Sequence, residues 1–496
     1  MPVPFKKDSV DFNQRKLMAE NVFDLLQKDH DCFIYEDIFN QIDTKSIEEK
    51  YSMQGQHAYH PKRVTAILIY AYSQGIFSSR KIEKKCSQDL SFMYISHRNC
   101  PNFRVLADFR KDNYEFFKEC FRKSVKIASG LGMVSLGHVG IDGSKFNAST
   151  SKHKAASYSH LKANEKKLKL EIEELLKKAE NVDDAEDKIY HNGKGYSIPD
   201  DLKIKEDRLK KIKKVKKELE KREEIQNPNK KINGKKQISY ADTQARMMKQ
   251  RGNYEYCYNG QISVDSKNQI IVGQHLSQNA NDKNELGRAL TEIEKNTDKL
   301  PGKASLDSGY RTSDNISAIE NAGIDGYIAT GKGEKDNSKD TDKKIGKSKF
   351  LYDSEKDIFI CPAGHILELK SIGKKRVYKA AGRVCERCSL KNKCTANKGN
   401  TPTMYTDESG IILAAMAEKM KKDSSKKIYR ERKIIVEPVF GQIKTGGFRR
   451  FSLRGFKKTG GEFSLVCAVS NFKKIVNMIK AQTGCSKERE LILQVT

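Results

Sequence analysis

Apolar residues recur at helical spacing through the first 130 positions. LMAENVFDLLQ, KRVTAILIYAYSQG, the stretch RKIEKKC behind a Ser78-Ser79 start, and NYEFFKECFRKSVKIA each place them three and four residues apart, which predicts a mostly helical segment over 1–130. The pattern then changes period. VSLGHVGID is a short apolar run that ends on an acidic residue and reads as a strand. YEYCYNGQISVD and NQIIVGQH alternate or run apolar on either side of DSKNQ, the pattern of a β-hairpin. KASLDSGY and DGYIATGK predict two further strands, with SDNISAIENAGI as a helix between them that Gly323 ends. Strands alternating with helices predict an α/β sheet.

Two stretches interrupt this alternation. In 161–225, Leu168, Ile172 and Leu175, and then Leu202, Leu209, Ile212 and Leu219, recur at spacings of three, four and seven, one narrow buried stripe on each of two helices. HNGKGYSIPDD between them suits a turn, so an antiparallel helical hairpin inserted into the sheet domain is predicted. Residues 331–350 form a polar linker with little to bury. The expected organisation is therefore a helical domain at 1–130, the first part of an α/β core at 131–160, the hairpin at 161–225, the second part of the core at 226–330, a polar linker and Cys-rich insertion at 331–400, and the last part of the core at 401–496.

Composition narrows the function classes. The 496 residues carry 94 Lys+Arg against 65 Asp+Glu, a formal charge of +29, with 37% hydrophobic residues and no Trp. The longest apolar stretch, VTAILIYAY, is far short of the roughly 20 residues that cross a bilayer, so no membrane segment is expected. Eleven scattered cysteines do not form a disulfide framework, and no apolar leader stands at the N-terminus; a reducing cytosol, with association to the nucleoid, is the expectation. A charge this positive attracts a polyanion, and nucleic acid is the polyanion it implies. Its distribution is uneven. The hairpin holds 19 basic and 17 acidic residues, a difference of only +2, which argues against a polyanion site there, whereas Lys421–Lys458 holds 13 basic and 3 acidic residues.

Three carboxylates stand out by position. Asp142 closes HVGID and Asp307 closes KASLD, each with a Gly close behind that lets the chain turn away, so both are expected at strand ends. Glu437 lies in YRERKIIVEPVFGQIK, where Pro438 either starts a helix or kinks one. Converging at one sheet edge, the three make a hard oxygen site for two Mg²⁺ ions, or Mn²⁺, of the kind that serves in-line phosphoryl displacement. Tyr429 lies eight residues before Glu437 and Lys444 seven after it, so both share roughly its face if the helix is continuous; with Arg432 they suit contact to phosphate or a base. Arg449, Arg450 and Arg454, interleaved with Phe448, Phe451 and Phe456, suit a phosphate-binding loop, the Phe residues acting as anchors or packing into the core. Cys361, Cys385, Cys388 and Cys394, with His365 as a substitute ligand, are read either as a thiolate zinc knuckle or as four reduced thiols.

These motifs, in this order, resemble those of bacterial insertion-sequence transposases of the DDE type. YRERKIIVEPVFGQIKTGGFRRFSLRGFKK resembles the family's C-terminal signature, with Tyr429 and Arg432 separated by two residues and Glu437 and Lys444 by six, as in the family; Arg432 and Glu437 are separated by four, where the common pattern has three. VGIDGSKFNAST and ASLDSGY resemble its first- and second-Asp motifs, and HPKRVTAILIYAYSQGIFSSRKIEKKC with NFRVLADFRK resembles its N-terminal helical domain. The resemblance implies an RNase H-like mixed-sheet core whose Asp142, Asp307 and Glu437 hold two metal ions. It also implies that the helical domain binds transposon-end DNA, and that the enzyme cuts double-stranded DNA at those ends and joins the 3′-OH to a target, two copies acting in the synaptic complex. A non-catalytic DNA-binding regulator or domesticated derivative, and a nuclease without strand transfer, are the alternatives.

Overall fold

The computed structural model describes residues 22–51, 58–152, 155–187, 200–250, 252–330, 345, 349–353, 355–373, 375–394 and 403–482. Two compact units divide the chain, residues 1–109 with 475–495 and residues 110–474.

The first unit is helical among its described residues. A 3₁₀ turn at Val22–Leu25 precedes α1 (Asp31–Asn40), α2 (Lys45–Glu48), α3 (Pro61–Ser73), α4 (Ser79–Gln88), α5 (Leu90–Ile95) and α6 (Phe103–Asp112). Of the helix expected at LMAENVFDLLQ, residues 17–21 lie outside the described residues and 22–25 form the 3₁₀ turn. Pro61 opens α3, where its missing N–H costs nothing, and His60 Nδ1 accepts from Lys62 N at 3.2 Å. Ile67, Leu68, Ile69 and Tyr70 are all at most 1% exposed, so VTAILIYAY is a helix buried all round.

The second unit begins with α7 (Phe116–Gly130) and holds a six-stranded mixed sheet. Its strands are β1 (His138–Asn147), β4 (Arg246–Gln250), β5 (Asn253–Asp265), β6 (Ile271–Ser277), β7 (Lys303–Leu306) and β8 (Asp325–Ile328), with β2 (Ala155–Ser157) and β3 (Gln237–Ser239) forming a separate two-stranded ribbon. The order is β4-β5-β1-β7-β8, with β6 also paired to β5. β1 runs antiparallel to β5 and parallel to β7, and β7 is parallel to β8. Between the ribbon strands lies a helical hairpin, α8 (Tyr158–Asp187) and α9 (Asp200–Gln226). α10 (Leu286–Thr297) joins β6 to β7, and α11 (Ser313–Asn321) makes the crossover that a parallel β7–β8 pair requires. The fold is thus mixed α/β, as the alternation of periods predicted.

The hairpin has its own core: Tyr158, Leu161, Ile212, Val215 and Leu219 pack with Ala156 and Ile238 of the ribbon. The turn between its helices, 188–199, lies outside the described residues, as does most of the polar linker at 331–350. Beyond the linker, β9 (Leu351–Asp353), β10 (Ile358–Ile360), β11 (Ile366–Ile372), β12 (Arg376–Ala380) and β13 (Thr403–Thr406) form an antiparallel sheet over Tyr352, Phe359, Leu367 and Tyr378. Short helices α12 (Gly382–Glu386) and α13 (Lys391–Cys394) carry Cys385 and Cys394, with Cys388 between them. The chain returns through α14 (Glu408–Lys421), α15 (Asp423–Ile435), α16 (Glu437–Thr445) and α17 (Phe456–Gln482).

Candidate active site

Register places the first two carboxylates. Ile141 of β1 pairs with Leu306 of the parallel neighbour β7, and Asp142 and Asp307 are the next residue on each strand. Neighbouring strands lie about 4.8 Å apart, so the two side chains emerge together from one sheet edge. Asp307 stands, as expected, at a strand end, where Oδ1 accepts from Gly309 N at 2.8 Å and caps a single 3₁₀ turn. Asp142 differs from expectation. β1 continues through Gly143 to Asn147, with Asp142 opposite Ile262 of β5, so this Gly does not turn the chain. Its lack of a side chain serves close packing instead: a Cβ built at Gly143 lies 2.5 Å from Asp282 Oδ1 and closer still to Gln261 Nε2.

Glu437 arrives on a broken helix. α15 ends at Ile435 and α16 starts at Glu437, with Pro438 in its first turn, where the absent N–H is tolerated. The continuous helix that would put Tyr429, Glu437 and Lys444 on one face is therefore absent, and tertiary packing gathers them instead. The junction rests on β1 at Gly140, where a Cβ would meet Ile435 at 3.2 Å and Val436 at 3.3 Å. Buried His138, at the start of β1, ties α15 to the sheet: its Nδ1 is hydrogen-bonded with Glu431 and its Nε2 with Ser305 Oγ of β7, both at 3.1 Å.

Arg432 joins the carboxylates. Its side chain is 8% exposed; Nη2 lies 2.8 Å from Asp142 Oδ2 and Nη1 lies 3.4 Å from Glu437 Oε1, while Nε is buried with no partner. Burial, reinforced by Asp307 and Asp282, pushes the Asp142 carboxyl up to about 6 against the opposing pull of Arg432. Burial likewise raises Asp307, with Asp282 adding to it, and raises the Tyr429 phenol beside them. Lys444 Nζ bonds Ser144 Oγ on β1, two residues beyond Asp142, and lies 5.1 Å from the centre of the Phe146 ring. The expected basic loop is bound to the far end of the same strand: Asn147 N donates to Arg449 O at 3.1 Å, Phe451 N donates to Asn147 O at 2.9 Å, and Arg454 Nε donates to Ser149 O at 3.0 Å. Phe448 and Phe451 are 2% and 1% exposed and pack into the core, leaving Arg449, Arg450 and Arg454 outside.

A fourth carboxylate was not anticipated. Asp282, in the loop before α10, accepts from Asn259 Nδ2 at 2.8 Å and Gln261 Nε2 at 2.6 Å, and Tyr310 donates its hydroxyl to Gln261 Oε1. A Cβ built at Gly309 lies 2.9 Å from Asp307 Oδ1 and 3.2 Å from Asp282 Oδ2, so these two carboxylates flank the same glycine. Nothing in NANDKNE marks Asp282 out. The available signal is in β5, where Asn259, Gln261, Ser263 and Asp265 recur every second residue and are at most 2% exposed; a buried polar face on a strand requires polar partners.

The donor set at this edge is carboxylate oxygen held on rigid strands, and the positive charge it collects is a guanidinium spanning Asp142 and Glu437; that chemistry fits a hard divalent cation. In this arrangement the arginine bridges those two acids, and among the described residues no group of three or more His, Cys, Asp or Glu side chains is placed to hold a metal ion. Cys361, Cys385, Cys388 and Cys394 line one cavity of about 20 Å³ with His365, whose N–H donates to Cys361 Sγ at 3.3 Å. Among the described residues no helix is long and apolar enough to cross a membrane.

Residues 360–476 match the family described as a transposase DDE domain, and residues 20–112 match a second, described as a transposase domain (DUF772). The two matches, which together cover less than half of the chain, support the resemblance to insertion-sequence transposases of the DDE type. The first match takes in Glu437, Arg432, Lys444 and the four clustered cysteines; Asp142 and Asp307 precede it. A comparison with curated proteins returned no match.

Proposed function

We propose that the chain is a DNA transposase that cuts at the ends of its element and transfers the freed 3′-OH into target DNA, with Asp142, Asp307 and Glu437 as the metal-holding residues of an RNase H-like core. The observation that carries this reading is the placement of Asp142 and Asp307 on adjacent parallel strands with Glu437 drawn to Asp142 through Arg432. The sheet supports it: in chain order of the five main strands β1, β5, β6, β7 and β8, the spatial order is third, second, first, fourth, fifth, with helices after the third and fourth. Mg²⁺ or Mn²⁺ held by the three carboxylates would neutralise phosphate charge and favour an ionised attacking oxygen. Arg432 keeps Asp142 ionised near neutral pH despite its burial. Lys444 and Tyr429 hold a strand beside the acids, and Arg449, Arg450 and Arg454 hold the flanking backbone.

In the first step water adds across a P–O3′ bond, leaving a 3′-OH and a 5′-phosphate. In the second that 3′-OH displaces a 3′-oxygen of the target, one phosphodiester replacing another, so no energy-supplying cofactor is consumed. Two copies bringing two ends together accord with that sequence of steps. Within the same reading, the helical domain at 1–130 recognises end DNA and the four clustered cysteines hold zinc. The test is incubation of purified protein with duplexes carrying the element's own ends. Metal-dependent nicking and joined products are expected, with Asp142→Ala, Asp307→Ala and Glu437→Ala each abolishing both while duplex binding persists. Cleavage retained by Asp307→Ala overturns the assignment. Nicks without joined product indicate a nuclease, and binding without nicks a regulator.

A further inference from the structure

The near-neutral charge sum of the helical hairpin hides a separation along its length. Ion pairs set its register: Glu165 of α8 meets Lys216 of α9 at 2.8 Å, and Glu171 meets Lys205 at 2.9 Å. Tyr158 bonds Glu220 at the base, so residues 158–170 lie alongside about 208–222, and the half of the hairpin nearest the sheet, 158–170 with 208–226, contains thirteen basic and five acidic residues. Residues 171–207, further out, hold twelve acidic and six basic residues, and at the base Glu223 is held by Arg222 and Lys236. Glu165 is already held by Lys216 and Lys169. Among the described residues, Arg208, Lys211, Lys213, Lys214 and Lys217 are exposed, and no ion pair within 4.0 Å neutralises them.

This excess charge borders a groove of about 760 Å³. Lys167 and Asn164 of α8, Arg208 and Lys211 of α9, Tyr240 after β3, and Arg454 line it. Its one carboxylate, Glu171, is paired with Lys205. Arg454 belongs to the basic segment and is anchored on Ser149, two residues past the end of β1, the strand that carries Asp142. The groove thus joins two cationic elements over 200 residues apart in sequence, and the hairpin core of Tyr158, Leu161, Ile212, Val215 and Leu219 holds its walls rigid.

We infer that this groove seats the sugar-phosphate backbone of duplex DNA outside the carboxylate site, making the inserted hairpin a backbone clamp. The inference rests on the reading of the chain as a DNA transposase and adds a contact surface to it. Charge complementarity selects the occupant: a groove lined by four lysines and arginines, of which Arg208 and Lys211 have no ion pair within 4.0 Å among the described residues, suits phosphates rather than base edges, so binding there is independent of sequence.

The test uses full-length protein with Arg208→Gln, Lys211→Gln and Lys214→Gln combined, and measures duplex affinity across a salt series on end-bearing and unrelated DNA. At about 0.9 per phosphate contact, the slope of log K against log salt should become shallower by about 2 to 3, equally on both duplexes. All three side chains are exposed, so the melting temperature should hold; if it falls, Lys211→Gln alone is read, with a change of about 0.9 expected. An unchanged slope overturns the clamp, as does a variant that loses self-association while keeping the slope. Wild-type protein that binds neither duplex overturns the DNA reading itself, a separate outcome.

Discussion

Arg432→Met tests the electrostatics of the site without reference to catalysis. The substitution keeps an unbranched side chain of similar length but leaves Asp142, whose side chain is 16% exposed, beside Asp307 and Asp282 with no guanidinium. Removing one partner of a buried ion pair costs about 3–5 kcal/mol when the other must stay charged. Asp142 has an escape, because it can take up a proton. From a pKa of about 6, protonation at pH 8 costs about 2.7 kcal/mol and at pH 5.5 almost nothing, which caps the loss. The sign follows from linkage. A carboxyl raised in the folded state binds its proton more tightly there than in the unfolded chain, so stability falls as pH rises from about 4 through about 6. Without Arg432 the carboxyl rises further and the fall extends to higher pH. In EDTA, thermal melts should therefore show a loss of about 2–3 kcal/mol at pH 8, or roughly 5–10 °C, and under about 1 kcal/mol at pH 5.5. Equal losses at the two pH values would refute this account of Arg432 as the counter-charge of Asp142.

Gly143→Ala should destabilise the metal-free protein by about 2–4 kcal/mol, since its Cβ displaces the buried Gln261 and Asn259 amides from Asp282, and the measurement is a urea melt; a midpoint within error of wild type sinks the packing argument. Under the zinc reading, the purified chain should contain about one zinc ion, and Cys388→Ser should remove it and lower the melting temperature; metal analysis finding no zinc in protein never exposed to chelator would leave four reduced thiols.

Five of the six strands of the main sheet were legible as apolar or alternating runs bounded by polar turns: β1, the β5–β6 pair, β7 and β8 all overlap the segments that the period-two and buried-run patterns marked, whereas β4, RMMKQ, was not marked. Their pairing was not. Parallel register between β1 and β7 spans about 160 residues and a helical insertion, and no local pattern records that Ile141 faces Leu306. The end of a strand was also misplaced for a physical reason: Gly143 suggests a turn, yet here it is a point where three polar side chains press on an extended backbone. Asp282 was invisible because a loop acid has no period. Its partners were visible, as buried amides spaced two apart on β5, and a strand with a wholly buried polar face predicts a polar neighbour even when the sequence cannot say which.

Charge summed over a segment measures attraction at distances large compared with the segment, not at contact. Counter-ions screen exposed charges beyond about 8 Å, so a phosphate in the groove responds to the Lys167, Arg208, Lys211 and Arg454 that line it, where the one carboxylate, Glu171, is already paired with Lys205 and Lys167. A difference of +2 over 161–225 is compatible with a local cationic groove at Lys167, Arg208 and Lys211. Antiparallel pairing is what sorts the charges, since it brings the lysines of 162–169 alongside those of 208–217.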